Sequence, residues 1–296
     1  MKKVNKDFDN PPAVLVNAAR RKKIKIALDT QSAQHISNSD YSPEAVKTAL
    51  GALYHEKCAY CESTVKQVAA LQVEHYRPQN GVLEDANHKG YFWLALEWSN
   101  LVLGCPACNG QGAKGNKFPV TGNRVAVQNP FDANDQLQRT ILYANASPLA
   151  DEQPLLIHPE IDDPALHLKF DGFGLMKGIT KRGKETIKVC DLNRGPLYDE
   201  RQGIVNGFLD QCKLILFVKK ENVGISADLI EKLIIGQLKL LKNHRDNPKK
   251  PYTVFVGYLL SNPSSCLYPS IGALDADFKI DFKRAFAKFR KTALIN

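Results

Sequence analysis

Two CxxC pairs, Cys58/Cys61 and Cys105/Cys108, constrain this chain more than any other feature of its sequence. The total of seven cysteines is odd, so a complete disulfide framework is not the natural reading. In a reducing compartment, paired CxxC knuckles read as zinc ligands. Four thiolates suit a closed tetrahedral site with no position left for substrate, so the expected role of Zn²⁺ is structural. A redox role is disfavoured, because no thioredoxin-like βαβ pattern surrounds either pair. Cys190, Cys212 and Cys266 are spread singly and are expected to be buried core thiols.

The segment between and just beyond the knuckles holds the residues that can carry chemistry. Glu74 and His75 end an apolar stretch, Asn100 precedes Leu101-Val102-Leu103, and Asn109 follows the last cysteine. Hydrolysing a phosphodiester needs a water activated near neutral pH, and imidazole has a suitable pKa. It also needs a divalent cation to stabilise charge on phosphorus and on the leaving oxygen. Mg²⁺ prefers oxygen ligands and keeps several waters, so one carboxylate and one amide oxygen suffice. Glu74 and Asn109 offer those two oxygens, while Lys114, Lys117 and Arg77 are candidates to hold phosphate.

Composition narrows the class further. At 296 residues, with 44% apolar and 24% charged residues, the chain can bury a full core in one or two domains. The opening MKKVNKDFDN lacks the apolar centre of a signal peptide, and runs such as Leu214 to Val218 are too short to span a bilayer. A soluble, cytoplasmic protein without a membrane partner is the expectation. The net charge of +9 is uneven: residues 211–296 hold 15 Lys/Arg against 7 Asp/Glu. A basic region attracts polyanions, with nucleic acid the usual candidate; charge alone slightly favours solvated helix faces and becomes informative only beside a catalytic motif.

Four segments are expected. Residues 1–55 form an N-terminal helical segment, with a second helix starting at Ser42-Pro43-Glu44 and running to about Tyr54. Residues 56–130 form the zinc-braced core, with a strand over 67–76, a short helix in 91–98 and a strand at 101–103. Residues 131–180 are turn-rich, with strands expected at 155–158, 167–170 and 175–179. Residues 181–296 are helical and basic. There, Ser226 starts a helix with Ile230, Leu233, Ile234 and Leu241 on one face, and Phe278, Phe282, Phe286 and Phe289 form an apolar stripe.

The order CxxC, Glu-His-x-x-Pro, Asn-Leu, CxxC-Asn, Lys-Gly resembles the zinc-braced branch of the HNH (ββα-metal) nucleases. More narrowly, E-H-Y-R-P (74–78), Y-F-W-L-A-L-E-W-S-N-L (91–101) and K-F-P (117–119) resemble the PtuB family, the HNH subunits of Septu and retron-associated antiphage systems. The likeness continues through residues 156–170 and 191–194. It implies an α+β protein: a ββα-metal HNH core with a four-cysteine zinc site, embedded in a mainly α-helical chain. It further implies that His75 is the general base, that Asn100 fixes the loop carrying it, and that Glu74 and Asn109 face the catalytic cation. The implied activity is endonuclease cleavage of nucleic acid, gated by an SMC-like or ABC-type ATPase (PtuA-like). A retron reverse transcriptase with its DNA is a further implied partner. Glu stands where Asp is commoner, and Gly110 and Gly112 weaken the helix expected to present Asn109.

Two other functions share these residues: a non-catalytic zinc module that binds nucleic acid or scaffolds a complex, and an RNase acting on structured RNA such as tRNA. His88, His158 and His167 are expected to serve packing and turns rather than substrate or a second metal.

Overall fold

The computed structural model describes residues 1–65, 69–222 and 224–293, which form two units: 1–168 with 178–192, and 169–177 with 193–296. The N-terminal helices, the cysteine-containing core and most of the turn-rich segment therefore share the first unit.

The first unit opens with α1 (Ala18–Thr30), α2 (Asn38–Tyr41) and α3 (Glu44–Tyr54). Asn17 caps α1 by accepting from the Arg20 amide at 3.0 Å. Glu44 rather than Pro43 is the first residue of α3, because Pro43 itself occupies the cap position in extended conformation. Val46, Leu50 and Tyr54 are buried on one face of α3, which packs on both strands of the central hairpin. Each such side chain contributes roughly 1.5–3 kcal/mol relative to exposure.

The hairpin pairs β1 (Gln72–His75) with β2 (Leu101–Gly104) antiparallel, in the register Val73↔Leu103, Glu74↔Val102 and His75↔Leu101. Of the strand expected over 67–76, Gln67 and Val68 lie outside the described residues, and the pairing covers only Gln72–His75, so residues 69–71 and Tyr76 are not part of it. The expected helix within 91–98 resolves into two single 3-10 turns, Phe92–Leu94 and Trp98–Asn100. Immediately after β2 comes α4 (Pro106–Asn109), one turn long, with Pro106 at its first position. It ends at Asn109 because Gly110 adopts an extended conformation. The resulting order is strand, strand, short helix. The unit closes with α5 (Lys181–Val189), whose cap Thr180 accepts from the Gly183 amide at 3.1 Å.

The strand expected at 155–158 does not form. Its amides are taken individually: Leu155 by the Pro119 carbonyl, Ile157 by the Thr186 hydroxyl and His158 by the Asp162 carboxylate. The other two expected strands are present as the antiparallel pair β3 (Leu168–Phe170) and β4 (Met176–Gly178). Asp171 shapes their turn by accepting from the amides of Phe173 and Leu175 at 2.9 Å.

The second unit is helical: α6 (Gly195–Glu221), α7 (Ala227–Asp246), α8 (Thr253–Ser261), α9 (Pro263–Cys266), α10 (Tyr268–Leu274) and α11 (Ala276–Ala293). Phe278, Phe282, Phe286 and Phe289 are buried along α11, which packs against α7 and α10. Ser226 caps α7, and Ile230, Ile234 and Leu241 are buried as expected. Leu233 is not, at 37% exposed; Leu238 fills the inward position instead. Cys212 and Cys266 are buried here, and Cys190 in the first unit. No helix among the described residues is long and apolar enough to cross a membrane.

Candidate metal centre and hydrolytic site

The two knuckles meet because each is anchored to β2. The Ala59 amide donates to the Leu103 carbonyl at 2.8 Å, and Cys105 follows β2 directly. All four sulfurs lie within 4.8 Å of one another and all four cysteines are buried, a group that could hold a metal ion. Cys61 Sγ and Cys105 Sγ are 3.8 Å apart. Tetrahedral zinc with Zn–S bonds of about 2.3 Å requires a sulfur–sulfur edge of about 3.8 Å. The Cys105 amide donates to Cys58 Sγ at 3.3 Å, a contact typical of a thiolate acceptor. The sulfurs split in acidity: hydrogen bonds from neighbouring thiols hold Cys61 and Cys105 low, while burial pushes Cys58 up and its neighbours push Cys108 up. A buried group of this kind ionises fully only around a cation. The donor set therefore fits zinc.

On the adjacent surface of the hairpin, a cavity of about 290 Å³ is lined by Tyr41, Glu74, His75, Asn80, Asn109 and Asn116, among others. His75 is buried, and its Nε2 lies 2.9 Å from the Ala95 carbonyl. A carbonyl only accepts, so Nε2 carries the proton and Nδ1 is left as the basic nitrogen. Burial brings the imidazole pKa down to about 4; the Lys114 charge lowers it further and the Ala95 carbonyl opposes both. The ring is therefore neutral at physiological pH. Tyr41 of α2 packs edge-on against it, with centroids 4.4 Å apart.

Glu74 is buried, and neither carboxylate oxygen receives a hydrogen bond among the described residues. Burial raises its pKa, while the Lys114 ammonium and the Tyr60 hydroxyl beside it pull the other way. A buried carboxylate whose oxygens lack hydrogen-bond donors is a group that fits a divalent cation. Gly104 brings Asn109 next to it. A Cβ on Gly104 would lie 3.4 Å from Glu74 Cγ and 3.6 Å from Asn109 Cβ, so the missing side chain keeps this corner open. Asn109 Nδ2 donates to Gln72 Oε1 at 3.2 Å, leaving its Oδ1 available.

Asn100 does not line the cavity. It is buried, accepting from the Arg77 amide at 2.8 Å and donating to the carbonyls of Arg77 and Leu94 at 3.0 and 3.2 Å.

Two cations expected on phosphate are turned inward. Arg77 is fully buried, pairing through Nε with Glu152 at 2.9 Å and donating to the Ala144 and Leu149 carbonyls. Lys114 is 1% exposed and donates to the His75 carbonyl at 2.7 Å, with Glu74 Oε2 at 4.0 Å. Sequence spacing places both near the site but does not say on which side of the loop they fall. Lys117 is half-buried and lies outside the cavity lining.

The other three histidines considered from the sequence have structural partners. His158 is buried, with Nε2 donating to the Ser99 carbonyl at 3.0 Å and Nδ1 accepting from the Glu160 amide at 3.3 Å. Burial and the Lys6 charge bring its pKa down to about 3. His167 Nδ1 meets the Thr180 hydroxyl at 2.8 Å, and His88 accepts from the Gly90 amide and packs on Tyr91.

Tyr41 and Gly104 escaped the sequence reading. The signal for α2 was present: Asp40, three residues after Ser37, accepts from the Ser37 amide at 2.8 Å as in a capping box. Nothing in the sequence signalled that its last residue would meet His75.

Known proteins resemble the chain over much of its length. It is 28% identical over 239 residues to the Septu protein PtuB of Bacillus mycoides (strain KBAB4), covering 75% of each chain. It is similar to Septu proteins. A PtuB of Bacillus thuringiensis is 25% identical over 258 residues, covering 86% of this chain and 80% of that one. A Septu protein PtuA of Bacillus mycoides (strain KBAB4) is 32% identical over 165 residues, 54% of this chain but 21% of that protein. No family model matches, and no solved structure matches.

Proposed function

We propose that this chain is a metal-dependent endonuclease of the HNH type, acting in antiphage defence beside an ATPase that gates it. One observation carries the reading. An imidazole whose tautomer is set by the Ala95 carbonyl lines the same cavity as a buried carboxylate neither of whose oxygens accepts a hydrogen bond among the described residues. A zinc scaffold alone needs neither feature. The strand–strand–helix order of β1, β2 and α4 supports the ββα-metal assignment. Similarity to Septu PtuB and PtuA proteins supports a Septu-like setting.

In this account Cys58, Cys61, Cys105 and Cys108 would hold structural zinc, tying the end of α3 to the start of α4. Glu74 and Asn109 would hold Mg²⁺ or a similar ion, which supplies stabilisation of charge on the phosphoryl and leaving oxygens. His75 Nδ1 takes the proton of the attacking water as its oxygen bonds to phosphorus and the bond to the leaving oxygen breaks. The Ala95 carbonyl keeps the proton on Nε2, so that Nδ1 stays the base. Tyr41 limits rotation of the ring, and Asn100 fixes the backbone that follows it. Lys117 is the remaining candidate among the predicted cations to meet phosphate.

The test is cleavage of duplex DNA, single-stranded DNA and tRNA by the chain with its ATPase, with Mg²⁺ or Mn²⁺ added. Fragmented tRNA beside intact DNA replaces the DNase version by an RNase using the same residues.

A further inference from the structure

Lys114 sits where a nuclease of this design has no obvious use for a cation. Its side chain is buried and cannot reach solvent phosphate. One of its three donors is spent on the His75 carbonyl at 2.7 Å. Its ammonium then stands 4.0 Å from Glu74 Oε2, a distance of charge contact rather than of a formed hydrogen bond. The carboxylate is consequently balanced in charge, with the Tyr60 hydroxyl also beside it, while Lys114 hydrogen-bonds to neither of its oxygens.

We infer that Lys114 is a resident counter-ion to Glu74, which holds the empty carboxylate in place and keeps its affinity for a free divalent cation low. The inference rests on the reading of Glu74 as a cation ligand given above. A buried carboxylate without a partner is costly, so some cation must stand near it whenever no metal is bound. An ammonium hydrogen-bonded to the carboxylate would block the ligand position. One anchored on the neighbouring carbonyl does not. The same charge then opposes a dication on Glu74, because two positive charges close together in a poorly solvated wall repel strongly. Tight cation binding therefore requires further anionic ligands, which the phosphate of a substrate provides. In the chain alone the hydrolytic site stays mostly unloaded, and loading is coupled to substrate.

Lys114 is thus a positioning residue, and its removal should strengthen metal binding, the opposite of what loss of a mere prop would do. The experiment is calorimetric titration of the zinc-loaded full-length chain with Mn²⁺ at pH 8, without nucleic acid. Lys114→Met should bind Mn²⁺ roughly tenfold or more tightly than the native chain, and Lys114→Arg should bind as the native chain does. Unchanged or weakened binding in Lys114→Met overturns the inference. If that variant does not fold, the native chain decides: inorganic phosphate should tighten its Mn²⁺ affinity at least tenfold. Submicromolar Mn²⁺ binding without phosphate overturns it. Glu74→Gln separates the two layers. Mn²⁺ binding that survives Glu74→Gln removes the underlying cation reading. Binding that depends on Glu74 but ignores Lys114 removes only the counter-ion.

Discussion

Asn100 and Arg77 exchange two hydrogen bonds: Asn100 Oδ1 accepts the Arg77 amide at 2.8 Å and Asn100 Nδ2 donates to the Arg77 carbonyl at 3.0 Å. The Asn100 carbonyl also accepts from the Tyr76 amide at 2.8 Å. The two residues that follow His75 are thereby fixed from the 3-10 turn that leads into the far strand of the hairpin.

Asn100→Ala leaves a buried amide and two buried carbonyls without these partners. It should lower stability by about 2–4 kcal/mol, read as a shift of the urea midpoint at unchanged slope. A shift below about 0.5 kcal/mol means that Asn100 does not hold this loop.

Gly104 should accept Ala but not Val. An alanine Cβ meets Glu74 and Asn109 at 3.4–3.6 Å, near ordinary contact, whereas the branches of Val must push the two side chains apart. Gly104→Val should keep its zinc and lose Mn²⁺ binding and cleavage together. Full activity in that variant removes the assigned ligand corner.

Zinc content is the next expectation: one zinc per chain, released by a strong chelator with unfolding of the first unit. Cluster metals of this kind contribute several kcal/mol or more to folding. A metal-free chain with an unchanged melting temperature contradicts the assignment.

The ring of His158 stays neutral when folded, with its pKa down at about 3, whereas an exposed imidazole titrates near 6.5. Between pH 7 and 5 the unfolded chain takes up a proton that the folded chain refuses. Its contribution is fully present above about pH 6.5 and is lost toward acid, by about 2 kcal/mol at pH 5. His158→Asn should flatten the stability–pH curve by that amount over this range. Parallel curves for the two chains refute the assignment of a buried neutral ring.

How much of this the sequence carried follows from the range of each interaction. The cysteine group was legible because CxxC spacing is local and ligand chemistry is specific. The second hairpin strand was legible at its apolar run, and so was the phenylalanine stripe of α11, whereas β1 covers only Gln72–His75, after the apolar residues 69–71. The expected strand at 155–158 was not formed, since apolar character there reflects burial while side chains from elsewhere take its amides. His75, Glu74 and Asn109 were named from motif order, and the structure places them on one cavity. Arg77 and Lys114 were placed on substrate because a cation beside a motif looks alike from either side. Their burial depends on Glu152 and on the His75 carbonyl, neither of which spacing can locate.

His75→Ala tests the central claim most directly, assayed on nucleic acid with Mg²⁺ or Mn²⁺ in the presence of the ATPase. Loss of a general base predicts a rate lower by about 10²–10⁴-fold, with zinc content, Mn²⁺ binding and melting profile close to those of the native chain. Cleavage at the native rate by a folded, zinc-loaded His75→Ala chain contradicts the account.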